Sequence, residues 1–153
     1  MRLSKRGEYG LRAMIALARR NSPGEKSPVV QIRELAEGEN IPAKFLEQIL
    51  LTLKNAGLLH SRLGAGGGYY LARDPEEISL GQIFRVLDGT LAPIKCVSQT
   101  SFEPCDCPNL ELCGLRMVMG EVHGVVAGIL DGTSLADVTR RVEARQAQGD
   151  GQA

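Results

Sequence analysis

No apolar run in this chain of 153 residues reaches the roughly 18 residues that a membrane-spanning helix needs. The basic start MRLSKRGEYGLRAMIALARR is not a secretion signal, because Glu8, Arg12, Arg19 and Arg20 interrupt its apolar positions. These two absences predict a cytoplasmic protein with no membrane partner. A reducing compartment in turn disfavours stable disulfides. No Ser/His/Asp set, phosphate loop or nucleotide motif supports catalysis, so the chain reads as a non-enzyme. There is no internal repeat, and no C-x-x-C pair of the kind that structural zinc usually draws on.

Net charge is also missing, since 18 Lys/Arg balance 18 Asp/Glu. The balance hides an asymmetry. Residues 1–75 carry 12 basic against 7 acidic side chains, and residues 76–153 carry 6 against 11. A basic N-terminal half suits a polyanion such as double-stranded DNA. The acidic half should point away from it. Chance scatter of surface charge is the plainer explanation.

What is present is mostly helical pattern. Ser4 can cap a helix running to about Arg20, with Leu11, Met14, Ile15 and Ala18 on its core face. NSPGEKSP is a loop. VVQIRELAEGEN predicts a short helix with Ile32, Leu35 and Ala36 inward. After the tight connection EGENIP, PAKFLEQILLTLKNAG predicts another. Pro42 lies in its first turn, Phe45, Leu46, Ile49, Leu50 and Leu53 point inward, and Gly57 is its stop. LLHSRLG and GYYLAR are β-prone and joined by glycines, which predicts a hairpin. DPEE turns, and ISLGQIFRVLDG, GLRMVMGEVHGVVAGIL and SLADVTRRVEARQ are three further helices. AQGDGQA reads as a frayed tail.

Helix, short helix, turn, helix and β-hairpin, in that order, make a winged helix-turn-helix. The fold class is therefore mainly α with a small β-hairpin wing and a long C-terminal helix. The alternative is a small α+β domain that binds no nucleic acid. The expected division is a winged domain over 1–90, a cysteine loop over 91–114, two C-terminal helices over 115–146 and a disordered tail over 147–153.

On the long helix, Leu115, Val118, Met119, Val122, Val126 and Ile129 form an apolar stripe, with Gly120, Gly124 and Gly128 nearly opposite. Each glycine costs roughly 1 kcal/mol of helix stability relative to alanine. Three of them four residues apart imply close approach of a neighbour. A helix wedged between its own domain and a second copy would satisfy both faces, which predicts a homodimer. His123 on this helix is read as a surface or interface residue, and His60 as a polar residue of the first wing strand.

All four cysteines lie in CVSQTSFEPCDCPNLELC, at Cys96, Cys105, Cys107 and Cys113. A disulfide knot is disfavoured by compartment and zinc by spacing. Thiolates in a loop of irregular spacing suit an iron–sulfur cluster.

IPAKFLEQILLTLKNAGLLHSRLGAGGGYYLARDPEEISLGQI resembles the signature of the Rrf-type winged-helix repressors, the bacterial IscR/NsrR/CymR/RirA regulators. The likeness extends from LSKRGEYGLRAMIALA through the cysteine loop to the long helix. It implies a homodimer that binds palindromic operators and responds to iron, cluster supply, nitric oxide, redox state or cysteine status. Carried over by position, Pro42, Ala43 and Lys44 start the recognition helix, with Glu47 and Gln48 one turn on. Gln48 can pair with adenine, Glu47 can accept from cytosine, and Lys44 meets phosphate. Lys5, Arg33, Lys54, Arg62 and the wing glycines Gly66 and Gly67 complete the expected DNA surface. Relatives often carry arginine immediately before the first wing glycine. Here Leu63 stands there, and Arg62 faces the other side of the strand, toward phosphate.

The resemblance also implies a cluster, [2Fe–2S] or [4Fe–4S], on Cys96, Cys107 and Cys113, the last two at the family's spacing. Cys105 is extra and an alternative ligand. Some relatives use a histidine three residues after the last cysteine; Arg116 stands there instead. Others use an acidic residue near the start of the first helix, and Glu8 fills that place. An i,i+4 ion pair with Arg12 is the competing role for Glu8. Two other functions stay open: a cluster-free regulator controlled by thiol chemistry or a protein partner, and an iron–sulfur carrier or redox protein that binds no DNA.

Overall fold

The computed structural model describes residues 2–151. Helix α1 (Lys5–Arg19) starts where Ser4 Oγ accepts the Gly7 N–H at 2.9 Å. Its buried row includes Gly7, Gly10, Ala13, Met14 and Leu17. That row is turned from the expected one. Met14 and Ala18 are buried, but Leu11 and Ile15 are only half-buried at its edge. The cause is close packing. A Cβ added at Gly10 would overlap Leu87, and one at Gly7 would overlap the Asp88 carboxylate.

Helix α2 (Ile32–Glu39) ends at Asn40, which adopts the left-handed conformation at φ 54° and ψ 50°. Asparagine tolerates this position better than most residues. Helix α3 (Ala43–Asn55) follows, with Pro42 as its N-cap and not inside its first turn as expected. Leu46, Ile49, Leu50 and Leu53 are its buried face. Phe45 is half-buried, edge-on to Tyr9 with ring centroids 5.6 Å apart. Gly57, at φ 81°, turns the chain just past the helix end.

Strands β1 (Leu59–Arg62) and β2 (Gly68–Leu71) pair antiparallel, Leu59 opposite Leu71 and Arg62 opposite Gly68. Gly64 and Gly66 take positive φ at the tip. Val30 joins the hairpin through two backbone bonds to Tyr69, each 2.9 Å. Gly68 lies where a Cβ would overlap the Val30 carbonyl.

After a 3-10 turn at Pro75–Glu77 comes helix α4 (Leu80–Asp88), begun by a capping box of Ser79 and Gln82. The cysteine segment opens with a 3-10 turn at Lys95–Val97. Helix α5 (Gly114–Asp131) and helix α6 (Leu135–Asp150) complete the chain. A second capping box, Ser134 with Asp137, starts α6, and Leu135 is fully buried. Helix α6 returns to pack on α1. It continues to Asp150 where a frayed tail was expected, because Arg145, Ala147 and Gln148 are good helix formers. Gln152 and Ala153, also in the expected tail, lie outside the described residues. No described helix is long and apolar enough to cross a membrane.

The core joins α1, α2, α3, α4, the hairpin and Leu135. Helix α5 contributes no buried residue. Its apolar positions divide differently from the expected stripe. Leu115, Val118, Val122, Val125 and Ile129 are exposed, at alternating spacings of three and four residues. Met119 and Val126 are half-buried, with His123 and Leu130, on the side nearer the domain. A Cβ added at Gly120, Gly124 or Gly128 would meet nothing within 4 Å.

Gly68→Ala should lower stability by about 1–3 kcal/mol, since the Val30 backbone must move to admit the methyl group. Gly149→Ala, with open space around it, should not lower stability. Urea denaturation of the two variants checks this.

Candidate nucleic-acid interface and cysteine loop

Helix α3 presents Ala43, Lys44, Glu47, Gln48, Leu51 and Lys54 to solvent, with Pro42 at its start. The helix faces outward because Leu46, Ile49, Leu50 and Leu53 hold its other side in the core. Glu47 lies near the wing: burial first, and then the Glu47 carboxylate, raise the Tyr69 hydroxyl above its ordinary range. Recognition helix and wing thus share one surface. Arg62, Gly66 and Gly67 line a cleft between the wing tip and the start of α2, with Gln31 and Ser61. Leu63 at the tip is 94 % exposed. Lys5 is exposed beside Glu8 at 3.4 Å, and Arg33 is exposed and paired with Glu37 at 3.1 Å. Arg6 was overlooked. It donates to Thr52 on α3 at 2.9 Å and so ties the start of α1 to the recognition helix. Its place in the basic N-terminal half was the available signal.

The cysteine loop leaves α4 and ends at α5. Cys96 is buried, and Cys105, Cys107 and Cys113 are half-buried. Cys107 and Cys113 Sγ lie 3.9 Å apart. Cys107 is pushed up to about 12, first by hydrogen bonding with Cys105 and then with Cys113. Cys105 is lowered, chiefly because Cys107 stabilises its thiolate, with a smaller contribution from Cys96. Ionisation of Cys105 is thereby favoured over that of Cys107.

Arg116, noticed in the sequence only for not being histidine, holds the two ends of the loop together. Its Nε donates to the Cys96 carbonyl at 3.3 Å, and its backbone N–H donates to Cys113 Sγ at 3.5 Å. Cys113 is thereby the N-cap of α5. Lys95 and Glu103 close the loop from outside at 2.7 Å. Glu8 pairs with Lys5 and, at 3.7 Å, with Arg12, and none of the thiols is among its hydrogen-bond or ion-pair partners. Within this chain Glu8 thus takes the competing role of ion-pair partner. His60 tilts over Tyr70 with ring centroids 5.5 Å apart.

The chain matches the family described as Rrf2, Iron-dependent Transcriptional regulator, over residues 3–141. It belongs to the Rrf2 family. An rrf2-like HTH-type transcriptional regulator of Rhodobacter capsulatus is 35% identical over 140 residues, covering 89% of this chain and 91% of that protein. Among solved structures, CymR, the global cysteine regulator of B. subtilis, superposes with a TM-score of 0.75 at 30% identity, covering 92% of this chain and 98% of the other. T. potens IscR superposes with a TM-score of 0.73 at 32% identity, covering 95% and 91%. This Rrf2 protein is a winged-helix transcriptional regulator that binds DNA, and its family is one of regulators, not enzymes.

The thiols of this Rrf2 chain are gathered in one loop without enclosing a site for a single metal ion among the described residues. Among the described residues no three His, Cys, Asp or Glu side chains are placed to hold one metal ion. Tetrahedral zinc with bonds near 2.3 Å would bring all its thiolates to about 3.8 Å from one another. Cys107 and Cys113 meet that distance, but the set as a whole does not converge. A cluster offers several iron atoms to its thiolates, so its ligands stand farther apart.

Lys44→Ala should weaken binding to all DNA sequences alike and flatten the salt dependence by about one unit. Gln48→Ala should instead relax sequence preference. Gel shifts over a salt series, on operator and random duplexes, measure both.

Proposed function

We propose that this regulator is a homodimer on palindromic operators, and that an iron–sulfur cluster held by Cys96, Cys107 and Cys113 controls its DNA binding. The observation that carries this reading is the collection of every thiol of the chain in the one loop joining α4 to α5. The family description as iron-dependent points the same way. When bound, a cluster, [2Fe–2S] or [4Fe–4S], would supply a link among the thiolates that depends on iron supply and redox state.

The residues of the chain set what such a link can do. Cys113 caps α5, so its sulfur fixes where that helix begins. Arg116 joins this first turn to Cys96 on the α4 side. The apolar seam of Leu115, Val118, Val122, Val125 and Ile129 has the three–four spacing of a helix-pairing face. A second copy covering it would fix the distance between two α3 helices. Half-sites about one DNA turn apart tolerate little change in that distance. Movement at Cys113 would then be felt at the operator.

A second reading has its own support. The 3.9 Å approach of Cys107 and Cys113 also suits a thiol pair that oxidises and reduces, with no cluster. The likeness to CymR, a cysteine regulator, favours it.

Anaerobically purified protein should be brown and contain iron and sulfide, and Cys96→Ala, Cys107→Ala and Cys113→Ala should each lose the iron. Protein still colourless after anaerobic reconstitution would leave the thiol reading in place. Val125→Arg should give monomers by sedimentation and abolish operator binding. A dimer of unchanged stability would rule out α5 as the interface.

A further inference from the structure

The wing ends in an apolar point. Leu63 is 94 % exposed, more than any other large apolar side chain among the described residues. A single exposed leucine is ordinary on a protein surface. Its position sets this one apart. It follows Arg62, where the pairing of β1 with β2 ends opposite Gly68. The next residues are Gly64, Ala65, Gly66 and Gly67, so nothing larger than a methyl group stands beside it at the tip.

The tip is a closed turn. The Gly67 N–H donates to the Gly64 carbonyl at 3.0 Å. A Cβ at Gly67 would overlap the carbonyls of Arg62 and Gly64, and Gly64 and Gly66 take positive φ. Val30 ties the hairpin to the domain through its two backbone bonds to Tyr69. A narrow, ordered backbone thus presents Leu63 on the surface that the wing shares with α3.

Leucine has no donor or acceptor in its side chain, so it cannot pair with a base edge or a phosphate. What it can do on DNA is fill space. The minor groove is about 6 Å wide, and a tip of small residues with one aliphatic side chain suits it better than a bulkier hairpin. Apolar side chains that enter this groove wedge between base steps, unstack them in part and kink the duplex. Arg62 is exposed on the opposite face of the strand, where it can meet phosphate at the edge of the groove.

We infer that Leu63 is a minor-groove wedge, so that this regulator bends its DNA at the wing and selects flexible steps there. Pyrimidine–purine steps such as TA and CA kink most readily, so the wing selects them without a hydrogen bond to any base. The inference rests on the DNA surface formed by α3 and the wing, and is independent of the cysteine loop.

The test uses anaerobically purified full-length protein and a library of random duplexes. Sequences selected by wild-type protein should carry TA or CA/TG at a fixed distance from the positions that change in the Gln48→Ala selection. Leu63→Ala should lose that enrichment, keep the α3-dependent positions, and bind the selected duplex about tenfold more weakly. Its salt dependence should match wild type, because leucine neutralises no phosphate. Energy transfer between dyes at the duplex ends should report a bend of about 20° or more with wild-type protein and with Leu63→Met, and a smaller one with Leu63→Ala. A wild-type complex no more bent than that of Leu63→Ala, or selected sequences identical for the two proteins, would overturn the wedge. If Gln48→Ala still changes its selection in that case, the shared DNA surface stands; if neither variant changes anything, that surface is overturned as well. Leu63 lies outside the core, and retention of the α3-dependent positions shows that Leu63→Ala is folded.

Discussion

The core helices of this molecule are set by the contact of α1 with α4, which is closer than any side chain but glycine permits. Leu87 lies over Gly10, and the Asp88 carboxylate lies over Gly7. Asp88 also accepts the Ser4 backbone N–H at 3.1 Å and the Ser4 hydroxyl. One carboxylate thereby holds the capping residue of α1 while Leu87 fills the space behind it. Ile49 of α3 comes to the same glycine. Helices α3, α1 and α4 meet at one point, and α3 takes its bearing from it. The loop of cysteines begins just beyond α4, so its position follows from the same contact.

Helix α5 stands outside this arrangement. It has no buried residue, and its exposed seam is entirely aliphatic. Two polar ties hold it to the domain. At its start, Arg116 reaches Cys96. At its end, Asp131 accepts a two-pronged pair of bonds from Arg85 of α4, at 2.6 and 2.9 Å. That guanidinium holds the Asp131 carboxyl below its ordinary range. Gly81 keeps the space open, since a Cβ there would overlap the Asp131 carboxylate. Both partners are partly exposed, so the pair orients more than it stabilises. In the proposed dimer the seam itself would supply the larger driving force for association, at roughly 25 cal/mol per Å² of apolar surface covered.

The element order was legible because local signals were strong. Ser4, Gly57 and the glycines of the wing mark ends and turns by chemistry that needs no tertiary context. The orientation of α1 was not legible, because the residues that decide it are Gly7 and Gly10. Hydrophobic periodicity follows large side chains, and a close helix contact is made by the absence of one. On α5 the difficulty was reversed. An aliphatic stripe reads the same whether it faces a core or another subunit, so Val126 was grouped with Val122, and Val125 was passed over. The four thiols were visible as a group, but Arg116 was noticed only for what it was not. The bond from Arg116 to Cys96 spans 20 residues, and no spacing rule reports it.

The cap of α5 brings these threads together. A helix N-terminus carries unpaired N–H groups and partial positive charge, so it favours an anionic partner. Here the partner is the sulfur of Cys113, opposite the Arg116 N–H. Under the proposed function the same sulfur would cap the helix and ligate iron, so neither role could change without affecting the other. The residue after it, Gly114, is exposed and has nothing within 4 Å of where a Cβ would be. The first turn of α5 is tied only to the cysteine loop, through Arg116 and Cys96, whereas its far end is clamped to α4 by Arg85. Coupling between distant sites requires an element with two arrangements that both sites bias. Under the proposed function, that element is this first turn. One side of it follows the thiols, and the seam on the other side carries the change to the second copy and to the spacing of the two recognition helices.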